Sequence, residues 1–133
     1  MSRSFFLAIF LLTLLVGVAA AQGAPFDLAA ALAAAQPGDT IVVPAGDYAG
    51  PLVVDVPGLT LEGQEGAIID GGGLGDVLTI TAPDVTLRGL TIRHSGKSLD
   101  QEHAGITGKA PRLLIENDSL ENVLFGIYLK EAP

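Results

Sequence analysis

A proline returns at one place in a repeated pattern. Pro57 to Gly63, Pro83 to Gly89 and Pro111 to Asn117 each read proline, any residue, apolar, any residue, apolar, charged, then glycine or asparagine. A further proline, Pro133, ends the chain, and the successive spacings are 26, 28 and 22 residues. Periods of this size belong to repeats that are single supersecondary units, each burying its apolar face only by stacking on its neighbours. The pattern therefore predicts a solenoid.

The repeats predict short strands separated by Gly, Pro, Asp or Asn, at Leu52–Val56, Leu59–Leu61, Ala67–Ile69, Val77–Thr81, Val85–Leu87 and Leu90–Ile92. With a period of two, Leu59 and Leu61, Val85 and Leu87, and Leu113 and Ile115 point to one side, and stacking at about 4.8 Å turns them into aliphatic ladders. The strand before each proline aligns Leu52/Val54, Leu78/Ile80 and Ile127/Leu129 in the same way. Proline suits the corner, where its missing N–H breaks no ladder bond. Gly63, Gly89 and Asn117 fall in one column, as expected of a bend that needs a left-handed backbone. The match loosens one step later, where Asp118 stands opposite Leu90, although Ile92 still meets Leu120. No Asn-Gly hairpin turns occur, which argues against an up-and-down sandwich. The predicted fold class is all-β: a three-sided, right-handed parallel β-helix. An alanine-rich helix over residues 26–36, with Phe26, Leu28, Ala29, Leu32 and Ala33 on one stripe, is expected to cap its open first coil. Because Pro133 falls within a repeat and no capping residues follow, the chain is expected to be the N-terminal part of a longer β-helix, truncated at its C-terminal end.

Residues 1–21 have the form of a cleaved signal peptide: Arg3, an apolar run from Phe5 to Val18, and small residues at Ala19–Ala21 before Gln22. The run is shorter than the roughly 20 residues of a spanning helix. The expectation is export to the periplasm, a mature domain over residues 22–133, and no membrane insertion after cleavage. The net charge of −8 becomes more negative when Arg3 leaves, which disfavours nucleic acid and anionic lipid as partners. Without cysteine, the exported chain can form no disulfide and no thiolate metal site.

The most polar insertion runs from Arg93 to His103 and accounts for the longest spacing. Loops thrown out from a rigid solenoid commonly carry its binding face. Here His94, Asp100, Glu102 and His103 offer two imidazoles and two carboxylates within ten residues, a donor set suited to copper(II) or zinc. No fixed ligand spacing supports them, and a solvated charged loop reads the same way. The glycines after Asp70 lack the Lys-Ser/Thr of a phosphate loop and read as a flexible corner, with Asp70 capping the turn. Asp84, Arg88 and Arg93 offer the acidic and basic groups of a polysaccharide lyase, but Arg88 between Glu62 and Glu116 equally forms an acid-base-acid ladder on the surface.

Four segments resemble the NosD family, periplasmic maturation factors of nitrous oxide reductase. They are residues 37–54 (PGDTIVVPAGDYAGPLVV), 59–73 (LTLEGQEGAIIDGGG), 82–106 (APDVTLRGLTIRHSGKSLDQEHAGI) and 121–129 (ENVLFGIYL). Most specific are Ala104-Gly105-Ile106 and Leu124 to Leu129. The resemblance implies a periplasmic right-handed β-helix that catalyses no reaction. It further implies copper delivery to the reductase together with a copper chaperone and the ATPase and membrane subunits of an ABC transporter. The alternative class is a β-helix carbohydrate protein: a polysaccharide lyase, a uronate epimerase or a carbohydrate-binding module.

Overall fold

The computed structural model describes residues 25–130. The expected signal peptide and Pro133 lie outside the described residues. After one helix, α1 (Leu28–Ala34), the chain forms twelve short strands: β1 (Thr40–Val43), β2 (Gly46–Ala49), β3 (Leu52–Val54), β4 (Thr60–Gly63), β5 (Ala67–Asp70), β6 (Leu78–Ile80), β7 (Thr86–Arg88), β8 (Thr91–Arg93), β9 (Ala104–Gly108), β10 (Leu114–Glu116), β11 (Ser119–Glu121) and β12 (Phe125–Leu129). Every third strand pairs in parallel. The result is three four-stranded sheets, β1-β4-β7-β10, β2-β5-β8-β11 and β3-β6-β9-β12, wound into a three-sided β-solenoid of about three turns.

The ladders run in the register that the repeats predict. Ile41, Leu61, Leu87 and Ile115 pair in sequence on the first sheet; Ile69, Ile92 and Leu120 do so on the second, and Leu52, Leu78, Ile106 and Ile127 on the third. Leu61, Leu87, Ile69, Ile92, Leu78 and Ile106 are completely buried. The last rung is more open, with Ile115 partly buried and Leu114, Ile127 and Leu129 exposed.

At the proline corner, the residue after each proline takes a left-handed backbone: Gly38, Gly58, Asp84 and Arg112 have φ of 83°, 71°, 61° and 58°. Each proline carbonyl accepts the N–H of the corresponding residue one rung earlier, Gly38 to Pro57 and Gly58 to Pro83 at 3.0 Å, and Asp84 to Pro111 at 3.2 Å. Pro37 is thus the first proline of the column as well as the stop of α1. Asp84 and Arg112, the two non-glycine residues here, form a two-point ion pair, Nε to Oδ1 at 2.6 Å and Nη2 to Oδ2 at 3.1 Å.

The column of Gly63, Gly89 and Asn117 follows two rules rather than one. Gly89 and Asn117 have φ of 72° and 55°, as the bend requires. Gly63 is not left-handed; a Cβ there would collide with the Gly89 carbonyl, so close approach of two backbones is what demands glycine. The mismatch of Leu90 with Asp118 also has a cause. Asp118 Oδ1 accepts the Leu90 N–H at 2.8 Å, so the carboxylate satisfies backbone rather than extending an apolar row.

The capping helix is shorter than its predicted stripe. Asp27 is its N-cap, accepting the Ala30 N–H at 3.0 Å. Leu28 and Leu32 are buried in the core, whereas Ala29 and Ala33 are exposed. Phe26 lies outside the core, edge-on to Tyr48 with ring centroids 6.1 Å apart.

Candidate functional site

The four rungs pass from the second sheet to the third in different ways. The first rung uses only Gly50-Pro51 and the last Asn122 to Leu124, but the middle two throw out Gly71–Val77 and His94–His103. These two loops lie on one another. Gly71 N–H donates to Arg93 O at 2.9 Å, Gly73 N–H to His94 O at 2.9 Å, and Gly96 N–H to Gly75 O at 2.8 Å, while Asp76 Oδ1 accepts the Ala104 N–H at 2.8 Å. The buried Ser95 hydroxyl donates to Gly96 O and accepts the Leu124 N–H, both at 2.9 Å, tying the longer loop to the last rung. The corner expected to be flexible is held at its base by backbone bonds.

At the mouth of this corner Asp70 does cap its turn, accepting the Gly72 N–H at 2.8 Å. Its other oxygen receives Arg93 Nε at 3.0 Å and faces His94 Nδ1 at 2.9 Å. The Gly72 N–H, then His94 and Arg93, hold the Asp70 carboxyl down at about 2. Arg93 also reaches toward Asp47, at 3.7 Å. The stacking that puts Asp70 beside Arg93 in the sheet register makes this pair possible.

A second polar group forms where the longer loop returns to the third sheet. Glu102 accepts the Tyr128 hydroxyl at 2.8 Å and pairs with Lys130 at 2.9 Å, and the Lys130 ammonium stands 5.2 Å from the centre of the Tyr128 ring. The Lys130 bond first, then the Tyr128 bond, lowers the Glu102 carboxyl, and the same contact with Glu102 raises Lys130. The hydrogen bond to Glu102, helped by desolvation, raises Tyr128.

The four metal-ligand candidates are therefore distributed. His94 joins Asp70, Glu102 joins Tyr128 and Lys130, His103 Nε2 faces Gln101 Oε1 at 2.7 Å with Nδ1 accepting the Ser98 N–H at 3.3 Å, and Asp100 is exposed on the loop. Among the described residues, no group of three or more His, Asp or Glu side chains comes close enough together to hold a metal ion. The candidate lyase groups are likewise engaged separately: Asp84 with Arg112, Arg88 with Glu116 at 3.5 Å, and Arg93 with Asp70. Tyr128 and Lys130 were not legible as part of this corner, nor was the bond that ties Ser95 of the insertion to the last rung, because the partners lie 26 to 29 residues apart. Only the repeat register could have brought them together.

No family model matches the chain, and no solved structure does. Among curated proteins, the "Probable ABC transporter binding protein NosD" of Pseudomonas aeruginosa is 39% identical over 119 residues, covering 87% of this chain and 27% of the relative. The chain is a NosD homologue. The protein of the same name from Stutzerimonas stutzeri is 33% identical over 89 residues, covering 65% of this chain and 20% of the relative. The chain thus spans about a quarter and a fifth of these two NosD proteins. Among the described residues no helix is long and apolar enough to cross a membrane.

Proposed function

We propose that the protein is an exported accessory factor of the NosD type, which associates with an ABC transporter and takes part in copper delivery to nitrous oxide reductase. The observation that carries this reading is the likeness to curated NosD proteins, whose name assigns them to transporter binding. The signal-peptide pattern of residues 1–21 supports export to the periplasm. In this reading copper is cargo. The described rungs supply a rigid frame and its two-loop corner, with other components, a copper chaperone among them, handing over the metal. The engagement of Asp84, Arg88 and Arg93 in separate ion pairs favours this over a lyase or epimerase.

Co-purification of the tagged full-length protein with its cognate ABC transporter in detergent tests the reading. A stable complex is expected. Recovery of the protein without the transporter, together with release of unsaturated oligosaccharides from a uronate polymer, would contradict it.

A further inference from the structure

The two histidines of the longer loop are held in different ways. His94 Nδ1 lies 2.9 Å from the Asp70 carboxylate, an ion pair when the ring is charged. Among the described residues His103 has no such pair and belongs to no metal-binding group. Its Nδ1 accepts the Ser98 N–H at 3.3 Å, and its Nε2 stands 2.7 Å from Gln101 Oε1. A backbone N–H can only donate, so Nδ1 is bare and Nε2 carries the proton that goes to Gln101. The ring is therefore neutral, since an imidazolium has no acceptor nitrogen.

Ser98 is the hub of the turn around that ring. Its carbonyl accepts the His103 N–H at 3.3 Å, its hydroxyl accepts the Gln101 N–H at 3.2 Å, and the neighbouring Leu99 carbonyl accepts the Glu102 N–H at 3.1 Å. The ring in turn rests on Gly96, where a Cβ would collide with it. Protonating His103 aims a second N–H at the Ser98 N–H, and two donors face to face repel. The base of the loop has no such weakness. The bonds from Gly96 N–H to Gly75 O and from Leu124 N–H to Ser95 Oγ involve no titrating group, and a charge on His94 strengthens its pair with Asp70.

The titratable and charged groups on the elements packed against His103 are Lys97, Asp100 and Glu102 of its own loop, Asp76 of the shorter loop, and Tyr128 and Lys130 of the last rung. Asp76 is engaged with the Ala104 N–H. Glu102 and Lys130 pair with each other, which lowers the carboxyl and raises the ammonium. Both therefore keep their charge between about pH 8 and about pH 5, the range in which histidines change theirs. The closed turn accepts only the neutral ring, so falling pH favours the open one.

We propose that residues 97–101 form a pH-operated flap, closed on a neutral His103 and released when that ring takes up a proton, on a base that stays fixed. The flap changes the surface that the solenoid presents at its elaborated corner. It is independent of the accessory role above and goes beyond it.

A nitroxide attached to Leu99→Cys, at an exposed position on the flap, reads its motion in the full-length protein, with the unsubstituted protein treated alike as background. As pH falls from about 8 to about 5, the label should tumble several-fold faster along a single-proton curve. The same label on Thr86→Cys, on the outer side of a middle rung, should not change. His103→Gln offers Ser98 an acceptor that does not titrate and should abolish the response, whereas His94→Gln should leave it in place. A label on Leu99→Cys whose motion is constant across this range would overturn the proposal. So would a response that survives His103→Gln, one lost in His94→Gln, or one shared by the Thr86→Cys label.

Discussion

Asp118 shows how a single residue can look like a fault in the sequence and be a fastener in the fold. In the repeat it interrupts an apolar row, yet its carboxylate holds the Leu90 N–H of the previous rung at 2.8 Å. Burial, reinforced by nearby Glu116, raises its carboxyl against the lowering effect of that bond, and Oδ2 has no hydrogen-bond partner among the described residues. Asp118→Asn keeps the acceptor and removes the desolvated charge, so it should match or exceed wild-type stability at neutral pH. Asp118→Ala strands the Leu90 N–H and should cost about 1–3 kcal/mol. Urea denaturation of the two variants separates these outcomes; equal losses would mean that the bond to Leu90 contributes nothing. Asp70 has the opposite sign. Its folded carboxyl lies at about 2, below the ordinary aspartate value of about 3.9. Its contribution to stability is therefore complete above that ordinary value and is lost as pH falls toward the folded one. Asp70→Asn should flatten the stability curve between about pH 4 and about pH 2; an unaltered slope in urea titrations across that window would contradict the assignment.

For the elements, in-plane alternation and rung-to-rung recurrence were both written in the chain. Leu61, Leu87 and Ile115 share one column because apolar side chains at every second position must fill the inside of each coil. Strand ends shifted by a residue or two, since apolar character marks the inward side chain while the strand itself is set by backbone pairing. The first rung was harder to see. Asp39 stands where the later repeats have an inward leucine or valine (Leu59, Val85, Leu113), because its carboxylate accepts the Gln36 N–H at 2.8 Å below the helix. What escaped the sequence were bonds between side chain and backbone across rungs, which leave no local periodicity. The ladder itself can be probed by substitution. Leu87→Ala, at a completely buried position in the middle of a column, should cost about 2–5 kcal/mol. Ile115→Ala in the more open last rung should cost less, and Thr86→Ala, on the outer side of the same strand, should stay within about 0.5 kcal/mol. Comparable losses at Leu87 and Thr86 would mean that the inward and outward faces are misassigned.

The whole molecule combines a repetitive frame with one elaborated corner. The frame was legible because a solenoid repeats its constraints; the corner was legible only as a polar insertion, because nothing in residues 93–103 says that their partners are Asp70, Gly75 and Tyr128. Of the four side chains that suggested a chelating cluster, His94 and Glu102 tie the loop to the two neighbouring rungs, while His103 bonds within the loop and Asp100 is exposed. The most direct measurement is the copper content of nitrous oxide reductase purified from cells lacking this protein and from the same cells supplied with its full-length form. The account predicts reductase made in normal amount but depleted of copper in the first case and restored to full copper in the second. Fully copper-loaded reductase from cells without the protein would contradict it.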